Sequence, residues 1–282
     1  MNDTAQPRKF LGRDIVAPAA TASERVTFVV WGSPGCGKSV LAGTLPKRIF
    51  WIGFDPDGEK VVSGVDGIDF VGFANMTPTA MRETFTEGGT FERALGDQLK
   101  SNPDIQSVVV DSITSYAQLA LTYAVDKAPG VGVNKPNIEQ PGIAGYGIRN
   151  RNVLGFTRML LRVTGQYNRH CMLICHEDAP EKKPDDKGVL QLERITLLLG
   201  GSLPIEVPVH ISEVWYMKDH GSRRTLHMRP YSVITPMKSR MFRTHPNTSC
   251  EWNYDMYNRK GSTVEQWINQ WRAGGPGYKL PL

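Results

Sequence analysis

The chain has 282 residues, 40% hydrophobic and 22% charged, the make-up of a globular protein and not of a disordered or fibrous one. Its apolar runs fall far short of the roughly 20 residues a membrane-crossing helix needs, and its first twenty residues hold no apolar signal core. Lys and Arg total 33 against 28 Asp and Glu, and the net charge of +5 permits a polyanionic partner without requiring one.

Residues 1–24 are polar and rich in Ala and Pro, and they read as a flexible arm. Order is predicted from 25–31, a β-branched and aromatic run too continuously apolar for a half-exposed strand and suited to the middle of a parallel sheet. Further strands of the same character are predicted at 48–54, 106–111 and 170–175, separated by helices at 39–45, 90–100, 115–128 and 147–164. This alternation predicts an α/β fold with a mainly parallel central sheet flanked by helices. Two stretches read as loops: 129–145, rich in Gly and Pro, and 178–188, charged and nearly balanced in sign. After Glu193 shorter strands are expected at 211–217, 224–228 and 232–234, as antiparallel additions to one sheet edge. The core is expected over 25–245, followed by an aromatic, Gly- and Pro-containing tail over 246–282. Within that tail, 263–272 suits a short helix whose Trp267 and Trp271 dock on the core or on a neighbouring subunit. Cys36, Cys171, Cys175 and Cys250 are irregularly placed, with neither a disulfide framework nor a zinc-ligand pattern, and the expectation is a reduced, cytoplasmic protein.

The first strand runs into Gly32, Ser33, Pro34, Gly35, Cys36, Gly37, Lys38 and Ser39, which match G-x-x-x-x-G-K-[ST] at every fixed position. The glycines let backbone N–H groups curl around phosphate oxygens, and the helix that follows points its positive end at them. Lys38 suits the β- and γ-phosphates and the Ser39 hydroxyl suits Mg²⁺, so ATP and Mg²⁺ are the expected ligands. Cys36 occupies a variable position and reads as a small filler.

Such a loop needs an acidic residue at the end of a neighbouring strand to hold the Mg²⁺ shell, and Asp111 is placed for it. The next residue is Ser112, where many hexameric helicases and AAA-type ATPases carry a glutamate base. A water-activating carboxylate, if the chain has one, then comes from elsewhere, and the turn after the second strand offers Asp55, Asp57 and Glu59. The fourth strand ends Cys175-His176-Glu177, and polar groups at that end of a parallel strand face the ligand crevice, where His176 or Glu177 suits sensing of the γ-phosphate. Arg151, Arg158 and Arg162, spaced by seven and four, fall on one helical face beside Arg149 and suit nucleic-acid phosphates.

These motifs, in this order over 25–243, resemble the RecA family of recombination ATPases, especially its short phage-type members that promote single-strand annealing. The resemblance implies that Asp57 matches the family's catalytic glutamate as a shorter aspartate and that His176-Glu177 occupies its polar switch. Lys238 and Arg240 are similar to its basic pair that reaches the nucleotide of the adjacent subunit. The family also implies two DNA-binding loops, with Lys135 and Tyr146 as candidate contacts in the first and Lys182, Lys183 and Lys187 in the second. Its partners would be single-stranded DNA, further copies of the chain in a ring or filament, and a single-strand-binding protein. The expected function is an ATP-hydrolysing protein that binds single-stranded DNA in recombination or annealing. A small-substrate P-loop kinase and a nucleotide-gated DNA motor or adaptor subunit stay open as alternatives.

Overall fold

The computed structural model describes residues 9–10, 13–14, 25–85, 88–127, 140–185, 187–221, 223–230, 233–242, 249–255 and 258–273. A two-residue ladder, β1 (Lys9–Phe10) with β2 (Arg13–Asp14), precedes the core. The chain then runs β3 (Thr27–Gly32), α1 (Lys38–Ala42), β4 (Ile49–Gly53), α2 (Gly58–Val62), β5 (Ile68–Gly72), α3 (Pro78–Phe85) and α4 (Thr90–Ser101). It continues through β6 (Ser107–Asp111), α5 (Ile113–Lys127), α6 (Gly142–Gln166) and β7 (His170–His176), then a hairpin of β8 (Glu181–Pro184) and β9 (Leu190–Arg194). After α7 (Leu203–Val209) come β10 (Glu213–Asp219), β11 (Arg224–His227) and β12 (Ser249–Glu251). The small pair β13 (Tyr254–Asp255) and β14 (Lys260–Gly261) precedes α8 (Val264–Arg272).

Eight strands form the central sheet in the order β12-β11-β10-β3-β7-β6-β4-β5. The six from β10 to β5 are parallel, and β11 and β12 add antiparallel at one edge, as the sequence predicts. Alternate residues of each central strand feed two separate cores. Val29, Trp31, Val108, Val110, Leu173 and Tyr216 point to one face, and Phe28, Val30, Val109, Met172, Ile174 and Trp215 to the other. Burial on both faces is why these strands read as unbroken apolar runs. An aromatic cluster fills the first core, with Tyr116 and Phe156 stacked at 4.1 Å between ring centroids. The second core is closed by the C-terminal segment, where β12 pairs with β11, Trp252 and Trp267 are buried, and Trp267 meets Trp215 edge-on at 5.9 Å. A capping box between Thr263 and Gln266 starts α8 and fixes its entry.

The structure departs from the sequence reading in several elements. β5, a half-buried edge strand, and the helices α2, α3 and α7 are not among the predicted elements. The segment 178–188 is not a loop: much of it belongs to the exposed β8–β9 hairpin, where Lys183 pairs with Glu193 and Arg194 with Glu181. α6 begins at Gly142, five residues before its predicted start, so Tyr146 is helical. Of the strand expected at 232–234, Ser232 lies outside the described residues and Ile234 makes a single bridge to Ile195. Among the described residues, no helix is long and apolar enough to cross a membrane.

Candidate nucleotide site

Because β7 lies between β3 and β6, the carboxyl ends of four parallel strands open side by side. In register, Gly32 faces His176, Asp111 faces Ile174, and Gly53 faces Asp111. Gly32 starts the loop with φ 154, and a Cβ there would fall 2.1 Å from the carbonyl oxygen of Met217, so no other residue fits. Lys38 is buried, and its Nζ donates to the carbonyl oxygens of Gly32 at 2.9 Å and Ser33 at 2.7 Å, which holds the ammonium across the mouth of the loop. Cys36 is enclosed beneath the loop, and burial pushes its thiol pKa up, against the nearby Lys38.

Ser39 Oγ donates to Asp111 Oδ2 at 2.8 Å, joining the loop to the end of β6. Asp111 is 5% exposed, and burial pushes its carboxyl up to about 6, against the hydrogen bond from Ser39. Asp55, just beyond β4, accepts from Ser112 Oγ at 3.1 Å and from Ser115 Oγ, and lies 3.9 Å from His176 Nε2. Burial pushes Asp55 up, but the nearby His176 and the hydrogen bonds from Ser115 and Ser112 outweigh it and leave the carboxyl below its ordinary value. Thr114 Oγ1 accepts the backbone N–H of His176 at 2.9 Å, while His176 Nδ1 is buried with no partner among the described residues. Gly35, Lys38, Ser39, Asp55, Asp111 and His176 line one cavity of about 380 Å³. A serine hydroxyl and two carboxylates, one of them forced toward protonation by burial, are the hard oxygen donors a divalent cation takes, and His176 beside them carries a buried ring nitrogen that no described residue satisfies. The residues therefore fit ATP with Mg²⁺.

The other predicted site residues fall elsewhere. Asp57 borders the same cavity, but it sits in the left-handed region at φ 59 as the N-cap of α2, with its carboxylate 68% exposed and 3.0 Å from Lys60. Glu59 is exposed on α2 and does not line the cavity. Glu177 is not in the cavity either: its carboxylate accepts from Tyr216 OH at 2.9 Å, and its N–H donates to Gly32 O at 3.0 Å, clipping β7 to the start of the loop. Lys238 bridges Val214, and the Arg240 N–H donates at 2.8 Å to the buried Glu213, which pairs with Phe28 near the start of β3. That places Lys238 and Arg240 toward the opposite end of the sheet from their own chain's loop.

Of the predicted nucleic-acid contacts, Lys135 lies outside the described residues. Arg149 does not flank the arginine stripe: it is buried, with its guanidinium 4.9 Å from the Tyr146 ring centroid and donating to Asn150 Oδ1. Two residues along a helix turn about 200°, so Arg149 and Arg151 face opposite ways. Arg151, Arg158 and Arg162 are exposed, and Arg162 pairs with Glu92 at 2.6 Å. Lys182, Lys183 and Lys187 are exposed on the β8–β9 hairpin. Sequence reasoning missed the clamp of Ser112 and Ser115 on Asp55. Its one available signal was that Asp55 comes directly after the strand end, where a side chain meets the crevice.

No curated protein matches the chain. Among solved structures, the crystal structure of the RadB recombinase is similar with a TM-score of 0.46 and 13% identity, over 85% of this chain and 91% of that one. A family model described as AAA domain (AAA_24) matches residues 24–248, most of the chain and every element of the cavity above. Ser112 stands after the strand-end aspartate in this sequence and hydrogen-bonds to Asp55. The chain belongs to the AAA domain family of P-loop ATPases.

Proposed function

We propose that this chain is a RecA-like ATPase that binds single-stranded DNA in recombination or strand annealing, of the short phage type. The observation that carries the ATPase part is the convergence of Lys38, Ser39, Asp111, Asp55 and His176 on one cavity at the carboxyl ends of four parallel strands. In this reading Lys38 leaves the Gly32 and Ser33 carbonyls for the β- and γ-phosphates, with the loop N–H groups around them. Ser39 and Asp111 would hold Mg²⁺, which neutralises phosphate charge when bound. Asp55, not Asp57, orients the attacking water, because its carboxylate is fixed by two serine hydroxyls while that of Asp57 faces Lys60 and solvent. His176, which lines the cavity at the end of β7 with Nε2 3.9 Å from Asp55, is the residue placed to report on the γ-phosphate.

The DNA part rests on the exposed face of Arg151, Arg158 and Arg162 along α6, and on Lys182, Lys183 and Lys187 of the charge-balanced β8–β9 hairpin, which follows β7 where the motif resemblance implies a DNA-binding loop. Lys238 and Arg240, remote from their own site, would serve the site of a neighbouring copy in a head-to-tail assembly. ATP turnover with and without single-stranded DNA, together with DNA affinity against salt, tests the proposal. DNA-stimulated turnover is expected, with a log–log salt slope that flattens by roughly 0.7 for each phosphate that Arg151→Ala and Arg158→Ala leave unneutralised. Turnover stimulated only by small hydroxyl acceptors, with no affinity for DNA, would overturn it in favour of a kinase.

A further inference from the structure

Arg224, the first residue of β11, lays its side chain along the phosphate loop. A Cβ built on Gly37 would meet Arg224 Cδ and Nε at 3.1 Å and Cζ at 3.3 Å. Gly37 therefore meets two demands at once: it adopts φ 102, and it leaves the space that the arginine occupies. The surroundings do not absorb this charge. Arg224 is 31% exposed, its ion pair to Asp219 is long at 3.9 Å, and its guanidinium makes no hydrogen bond among the described residues. The adjacent Arg223, by contrast, pairs with Glu251 at 2.6 Å and points away to β12. A planar fork of N–H donors lying against a phosphate-binding loop, with little to bind in its own chain, matches the chemistry of phosphate recognition.

The sheet order says which part of the nucleotide it meets. β11 lies beyond β10, on the flank of β3 opposite β7, β6 and β4. Asp111, Asp55 and His176 all come from that other flank, where the cleaved bond and the cation belong. We propose that Arg224 is a nucleotide-binding residue supplied in cis from the edge strand, and that it grips the nucleoside end of the polyphosphate, at the α-phosphate, and not the transferred γ-phosphate. This assignment rests on the nucleotide site described above. It ties the β10–β11 hairpin to nucleotide occupancy, since the same residue ends the turn and meets the ligand.

Calorimetric titration of ATP and ADP, each with Mg²⁺, into the wild-type chain and its R224A, R224K and K38A variants tests the proposal. R224A is expected to raise the Kd of both nucleotides by the same factor, about tenfold or more, with part of the loss recovered in R224K. R224M keeps an aliphatic stem against Gly37 without the charge, and it is the variant to read should R224A fail to fold; it is expected to behave as R224A. Weakened ATP binding with ADP untouched would move the arginine to the γ-phosphate and overturn the proposal. Unchanged affinity for both in R224A or R224M, with binding lost in K38A, would overturn it while leaving the nucleotide site intact. A wild-type chain that binds neither nucleotide would overturn both.

Discussion

Replacing Asp111 with asparagine should make the nucleotide-free protein more stable at neutral pH while abolishing its response to Mg²⁺. Asp111 is 5% exposed at the end of β6, and its folded pKa of about 6 stands above the ordinary 3.8 because burial disfavours the carboxylate. At about 1.36 kcal/mol per pH unit, the ionised side chain costs the nucleotide-free fold about 3 kcal/mol. The sign follows from proton counting. Between pH 3.8 and about 6 the folded chain holds more protons than the unfolded one, so stability falls as pH rises through that window, and the full cost is present above it. Asparagine keeps an oxygen for the Ser39 hydroxyl and carries no charge. Urea denaturation of both proteins without nucleotide, from pH 4 to pH 8, should show Asp111→Asn gaining little at pH 4 and on the order of 3 kcal/mol at pH 8. Mg²⁺ with ATP should then raise the melting temperature of the wild type and not of the variant. Equal stability at pH 8, or a less stable variant there, would refute the claim that burial of this carboxylate is costly until a cation neutralises it.

His170 predicts the opposite limb: burial, then Arg272, holds its imidazole down at about 4, and its Nδ1 accepts the Val26 N–H at 3.0 Å. The folded chain here holds fewer protons than the unfolded one, so stability is full above pH 6.5 and drains as pH falls toward 4; His170→Asn should flatten that limb by about 3 kcal/mol in the same titrations. Asp55→Asn should slow ATP turnover roughly 10²-fold or more while Asp57→Asn leaves it within a few-fold, measured by phosphate release at saturating ATP. The reverse ranking would return the water-positioning role to Asp57. Trp267→Ala should cost about 3 to 5 kcal/mol in urea denaturation, because it empties a buried site against Trp215 and Phe242. A loss under about 1 kcal/mol would mean that α8 is only loosely attached.

What the sequence revealed and what it hid follow one physical division. β3, β6 and β7 are buried on both faces, so their apolar runs announce them, whereas β5 is only half-buried and its Ile-Asp-Phe-Val-Gly carries no such run. In the exposed β8–β9 hairpin β8, Glu-Lys-Lys-Pro, has no apolar residue but its proline and β9 has only the short Leu-Gln-Leu alternation, left in solvent, and cross-strand pairs such as Arg194 with Glu181 become visible only once the strands meet. The phosphate loop was legible because its chemistry fixes residue types at fixed spacing. The choice between Asp55 and Asp57 was not: two carboxylates two residues apart are separated by a left-handed backbone at Asp57 that turns its side chain to Lys60. Arg149 was misplaced by reading spacing without phase. Arg224 left no local signature, since only the sheet order brings it to Gly37.

In the proposed function this cavity hydrolyses ATP through Lys38 and does so in response to single-stranded DNA. Phosphate release by the wild-type chain and by Lys38→Ala, each with and without single-stranded DNA, tests it most directly. Mg²⁺-dependent turnover that rises with DNA is expected of the wild type, and none of a folded Lys38→Ala variant. Equal turnover by the two proteins, or a wild type that releases no phosphate under either condition, would contradict it.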